Sequence, residues 1–170
     1  MLDPKYYNIY LEKIGEKIRE DKVKKFLVTL LGTTGLPIRG RVLLVKETFL
    51  FLDTMKDKLL DVPDISFYPH RYGPYSRYLI NKLKELQNDG VLSVDGNKIS
   101  LNGNGHVVLE EVKKEYGAEQ WNELIEYRIK LDQKGTDGIM KVVYEEYPEY
   151  TVNSKVKDRY ISKQKHKDRV

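Results

Sequence analysis

Apolar residues return every three or four positions along most of this chain, and the rhythm stops at Gly, Pro, Asn and Asp. Asp3-Pro4 offers an N-cap with Pro at the first helical position. Tyr7, Tyr10, Leu11, Ile14 and Ile18 then make one stripe, predicting a helix over 4–20. Asp21 caps a second helix carrying Val23, Phe26, Leu27, Leu30 and Leu31 on its apolar side, and Gly32 ends it. Residues 33–40 read as a turn region that delivers Arg39 and Arg41 just ahead of a third helix. That helix, predicted over 41–60, is apolar on most sides from Val42 to Met55 and reads as the central buried rod.

The stretch 67–101 organises the rest. Gly73-Pro74 reads as a helix entry, because Pro fixes φ and gives up an N–H that would be unpaired there. In the helix that follows, Leu79, Ile80, Leu83 and Leu86 recur at the 3.6-residue period, and Arg77, Asn81, Lys82, Lys84 and Gln87 take the other face. After Gly90, residues 91–94 and 98–101 flank Asp95-Gly96-Asn97, which is hairpin-turn chemistry. A helix followed directly by a two-stranded hairpin is the second half of a winged helix. Beyond it, helices are predicted from His106 to about Tyr116 (Val107, Val108 and Val112 inward), from Ala118 to Leu131 (Trp121, Leu124, Ile125 and Ile129 inward), and from Ile139 to Tyr147. Gly135-Thr136-Asp137-Gly138 turns the chain between the last two, and Pro148 stops the last.

The expected fold is therefore mainly α with a small β-hairpin: a winged helix-turn-helix core with extra N- and C-terminal helices. The expected parts are an N-terminal helix (1–20) for packing or dimerisation, the winged-helix domain (21–102), a helical extension (103–152) and a basic tail (153–170) that lacks an apolar stripe and is expected to be frayed or disordered alone.

Charge sharpens this picture through its placement. The chain of 170 residues carries a formal +4, yet 153–170 holds seven Lys/Arg against two Asp, so the rest of the chain sums to −1. Residues 36–102 hold ten Lys/Arg against eight Asp/Glu, and 103–152 six against eleven. A field that attracts phosphate would come from the tail and the winged segment together. Without cysteine there are no disulfides, thiol nucleophiles or Cys-containing zinc sites, and with no signal-peptide h-region or membrane-length apolar run the chain reads as cytoplasmic and away from the membrane.

No catalytic constellation emerges. His70, His106 and His166 lie far apart without metal-ligand spacing, and Gly32-Thr33-Thr34-Gly35 and Gly103-Asn104-Gly105 both lack the residues that complete a phosphate loop. Glu110-Glu111 and Glu145-Glu146 are neighbours at i,i+1 and diverge on a helix. No metal or other cofactor is expected, and no enzyme. The residues that can carry function are cationic and polar. For duplex DNA, Ser76, Arg77, Asn81, Lys82 and Lys84 would present the helix face to base edges, Lys98, Arg39, Arg41 and the basic tail would meet phosphates, and Arg71 is a further DNA-binding candidate. The bland alternative is a solvated helix face, since Glu85 shares it. The rings of Phe67, Tyr68, Tyr72, Tyr75 and Tyr78 could stack on bases, but burial against the central helix is the commoner use. The Tyr/Ile stripe of the first helix must be covered, either by its own core or by the same helix of a second chain in a homodimer.

The run Arg39-Gly40-Arg41-Val42-Leu43-Leu44-Val45, the motif Phe67-x-x-His70-x-Tyr72-Gly73-Pro74-Tyr75-Ser76, the helix into Leu86-x-x-x-Gly90-Val91-Leu92 and the segment Tyr144-Glu145-Glu146-Tyr147-Pro148-Glu149-Tyr150 together resemble a prokaryotic winged helix-turn-helix family related to the Panacea-type antitoxin domain. The likeness covers about a third of the chain, mostly within 44–101. It implies a winged helix without catalytic activity, used as a toxin-neutralising or adaptor module that binds proteins. It assigns no binding residue. Two functions are thus expected as alternatives: a DNA-binding transcriptional regulator, or a protein-interaction module using the same face.

Overall fold

In the computed structural model, which describes residues 3–160, four helices begin where a short polar side chain accepts from backbone N–H groups that a first turn leaves unpaired. Asp3 caps α1 (Pro4–Glu20) at Lys5, and Asp21 caps α2 (Lys22–Gly32) at Val23 and Lys24. Ser76 caps α4 (Arg77–Asn88) at Leu79, and Asn102 caps α5 (Gly103–Lys113) at Gly105. The remaining two, α3 (Arg41–Met55) and α6 (Ala118–Glu146), follow Gly40 and Gly117 with no side-chain cap. The chain is mainly helical with a small antiparallel sheet.

That sheet holds β1 (Ile38–Arg39), β4 (Leu92–Asp95) and β5 (Lys98–Leu101) in the order β1-β5-β4. Ile38 lies opposite Ile99 and Arg39 opposite Lys98, while Leu92 faces Leu101 and Val94 faces Ile99. A second hairpin joins β2 (Tyr68–His70) to β3 (Gly73–Tyr75), with Tyr68 opposite Tyr75. One apolar core runs through the molecule, and α3 is its centre: Leu44, Val45, Leu50 and Phe51 are buried on a helix that packs against α6, β3, β1 and α4, and Phe51 meets Phe26 of α2 edge-on. Phe49 gathers Phe67, Tyr147 and Tyr150 edge-on, with centroids 4.8 to 5.2 Å away. This aromatic cluster ties the second hairpin and the turn Pro148–Tyr150 to the rod. No helix among the described residues is long and apolar enough to cross a membrane.

Several expected boundaries move, each because a tertiary partner outbids the local signal. The third helix ends at Met55 rather than near residue 60: the chain turns through Lys56–Lys58, buries Leu59, and donates the Leu60 N–H to the Tyr116 hydroxyl at 3.1 Å. Gly73-Pro74 does not open a helix. Both residues belong to β3, the Pro74 carbonyl accepts from Lys46 Nζ at 2.8 Å, and α4 waits for the Ser76 cap. The turn region 33–40 contains a strand, β1, drawn onto β5. Asn102-Gly103-Asn104-Gly105 starts α5 instead of preceding it, so the helix covers 103–113 and Val107 points outward. The expected helices on either side of 135–138 join into α6, broken only at Gly135, whose φ of 66° bends the path; Ile129 is exposed. The first half of the basic tail is tied down: Ser154 Oγ bonds the Tyr144 hydroxyl, the Lys155 N–H donates to the Arg71 carbonyl at 2.8 Å, and Tyr160 lies against Tyr144. Residues 161–170, the rest of that tail, and Met1-Leu2 lie outside the described residues.

Candidate nucleic-acid interface

The candidate face is built on α4. Burial of Leu79, Ile80, Leu83 and Leu86 against the core orients it, each side chain contributing roughly 1.5–3 kcal/mol. The opposite side then carries Arg77, Asn81 and Lys84 at i, i+4 and i+7, all exposed. Among the described residues none of these three has an ion-pair or hydrogen-bond partner through its side chain. Beside this stripe, Arg41, Lys84, Gln87, Val94, Gly96 and Asn97 line a shallow groove between the start of α3, α4 and the β4–β5 hairpin. Arg39 and Lys98 occupy facing positions on β1 and β5, and the Gly40 N–H donates to the Asn97 carbonyl at 2.7 Å, which locks the basic turn onto the hairpin tip. Like charges facing each other across strands cost stability unless a counter-charge intervenes. Asp95, paired in register with Lys98 on the other side, is a carboxylate placed to soften that repulsion.

Three of the nine sequence candidates are placed elsewhere or spent. Ser76 is 1 % exposed and its hydroxyl is used as the α4 cap, 3.1 Å from the Leu79 nitrogen, so it offers nothing to a ligand. The Lys82 side chain, 19 % exposed, donates to Asp21 at 2.6 Å and lies 3.4 Å from Glu85. The Asp21 bond raises the Lys82 pKa against the opposing effect of burial. Burial pushes the Asp21 carboxyl up, but Lys82 and the N–H groups of Lys24 and Val23 outweigh it and hold it below its ordinary value. With the 3.1 Å Lys24–Asp89 pair, this makes a polar seam between α2 and α4 that faces away from the groove. Arg71 sits at the turn of the other hairpin, its carbonyl engaged by Lys155. The structure thus brings together Arg39, Arg41, Lys84 and Lys98, with Arg77 and Asn81 continuing along α4.

The rings divide. Phe67 and Tyr75 are half-buried, with Tyr75 stacked on His70 at 4.6 Å, whereas Tyr68, Tyr72 and Tyr78 are exposed. Several ionisable or polar residues of the interior went unsingled by sequence, among them Lys46, Glu47 and Thr48 on α3, Lys25 on α2 and Arg128 on α6, all buried. For the first three a signal existed, since polar residues in the middle of a rod predicted to be covered on most sides have nowhere else to go. Among the described residues no group of three or more His, Asp and Glu is placed to hold a metal ion. Comparison with protein-family models, with curated proteins and with solved structures found no match.

Proposed function

We propose that this chain is a winged-helix protein that binds double-stranded DNA as a non-enzymatic regulator. The strand order β1-β5-β4 threaded by α2, α3 and α4 supports the winged reading, because it is the order in which a short first strand pads the hairpin of such a module. One observation carries the binding reading: Arg41 and Lys84 line a single groove, with Arg39 and Lys98 exposed on the adjoining strands β1 and β5, next to the α4 stripe of Arg77 and Asn81. Cations left unpaired on one face are what phosphate neutralisation needs, and Arg and Asn on a helix are the side chains that read guanine and adenine edges. Tyr78 and Val94, exposed beside the same face, favour the second reading, a protein partner such as a toxin gripped by the same helix.

Salt separates the two. For DNA, affinity of the full chain for random duplex falls steeply as salt rises, and the Arg41→Ala/Lys98→Ala double variant lowers the log–log slope by about two, near one unit per phosphate contact. Lys82→Ala leaves the slope unchanged, since that cation already belongs to Asp21. Binding that ignores salt, or a double variant with the parent slope, would remove DNA as the partner.

A further inference from the structure

The α3 rod carries one carboxyl with no match. Glu47 is 2 % exposed, and its Oε2 has no hydrogen-bond partner. The cation that faces it, Arg128 on α6, spends three of its five N–H donors elsewhere: Nε donates to Asp132 Oδ1 at 2.9 Å, one terminal nitrogen to the Leu30 carbonyl and the other to the Leu36 carbonyl at 2.8 Å. The second oxygen of Asp132 accepts from the Thr34 hydroxyl at 3.3 Å. Glu47 also lines a cavity of about 270 Å³ where β1, α3 and the break in α6 at Gly135 meet. Its other walls include the aliphatic side chains of Leu36, Leu43, Leu131 and Ile139 together with Thr136 and Asp132, the latter held by Arg128, and the exposed Arg39 also lines it.

We propose that this cavity is a binding site for a small primary alkylammonium, whose NH₃⁺ donates to Glu47 while its chain covers the aliphatic walls. An unpaired buried acceptor costs stability, and an ammonium supplies up to three donors together with the opposite charge, which makes the bond roughly twice as strong as a neutral one. Burial already pushes the Glu47 carboxyl up to about 7, so near neutral pH it ionises readily for an arriving cation. A water molecule could bond the oxygen but would leave the apolar walls uncovered. Solvent screens the repulsion from the exposed Arg39 far more than it screens the buried Glu47. The site shares only Arg39 with the DNA reading, and its test uses no DNA.

The full chain is titrated with n-butylammonium and, separately, with n-butanol, following backbone amide shifts by NMR. The expected result is one saturable site with the largest shifts around Glu47, Gly135 and Ile139, and butanol binding at least about tenfold more weakly. Glu47→Gln is expected to erase that preference, and Ile139→Trp, which fills the cavity and keeps the carboxyl, to abolish both. Equal binding of amine and alcohol by the unaltered chain would overturn the proposal without recourse to any variant. Shifts confined to surface carboxylates, unchanged amine affinity in a folded Glu47→Gln, or titration curves without saturation would do the same.

Discussion

Lys46 and Glu47 are neighbours in sequence and opposites in chemistry, and both are buried on the same helix, facing different walls of the core. Burial alone pulls the Lys46 ammonium down from 10.5 to about 7, and burial pushes Glu47 up from 4.5 to about 7 against Arg128. Between about pH 4.5 and 7 the folded chain keeps a proton on Glu47 that the unfolded chain releases, so stability falls as pH rises through that window. From about pH 7 to 10.5 the unfolded chain binds a proton on Lys46 that the folded chain lacks, so stability rises again. The other shifted acids, Asp21, Asp61 and Glu111, are lowered, and the other shifted lysines, Lys25 and Lys82, are raised, so they act outside these two windows. Urea denaturation at successive pH values is therefore expected to give a stability minimum close to neutrality, with an acid limb of about 3 kcal/mol and an alkaline limb of about 5 kcal/mol. Glu47→Gln should flatten the acid limb and Lys46→Met the alkaline one. A stability maximum at neutral pH would contradict the burial of these two groups.

At the scale of elements, the entry to α5 shows how one sequence pattern hides two demands. Gly103 and Gly105 stand two residues apart in the same helix. A Cβ on Gly103 would meet open space, whereas one on Gly105 would run into the Val91 carbonyl and the Leu101 side chain, where the hairpin crosses the helix start. Thermal melts should show Gly103→Ala more stable than the parent by about 0.4–1 kcal/mol, through a stiffer unfolded chain. Gly105→Ala should lose about 1–3 kcal/mol, because a backbone carbonyl cannot turn aside as a side chain can. The α4 helix teaches the same lesson about faces. Its apolar side was legible from period alone, but Lys82 and Lys84 are indistinguishable by type, and only the arrival of Asp21 at the end of α1 commits one of them to the α2–α4 seam.

At the scale of the molecule, the C-terminal extension acts as a strap over the second hairpin. Truncation after Val152 removes Ser154 from Tyr144, Lys155 from Arg71 and Tyr160 from Asp137, so it is expected to lower the melting temperature by several degrees as well as remove charge. Calorimetry of the truncated and full chains measures it; an unchanged transition would mean that the strap contributes nothing. The N-terminal helix is split in its loyalties. Ile18 and Gly15 pack on the core and Tyr7 bonds Asn104, yet Tyr6, Ile9 and Tyr10 remain exposed along the first turns. We propose that a second copy covers this end, and light scattering should give a dimer mass that Tyr6→Ser/Tyr10→Ser returns to the monomer; a monomeric parent at high concentration would exclude it.

Periodicity and punctuation were enough for the helix of residues 77–88, the hairpin of 92–101, the rod, and the Asp3 and Asp21 caps, because each is set by residues within a few positions of one another. Local chemistry likewise marked the cations, but not their company. Whether Arg39 meets Lys98, whether Ser76 and Lys82 are spent, and whether Arg128 and Glu47 are sealed inside depend on strands and helices tens of residues apart packing together. A side chain's neighbours across such distances are fixed by shape complementarity and solvent exclusion in three dimensions, and neither is written in the order of residues along a single stretch.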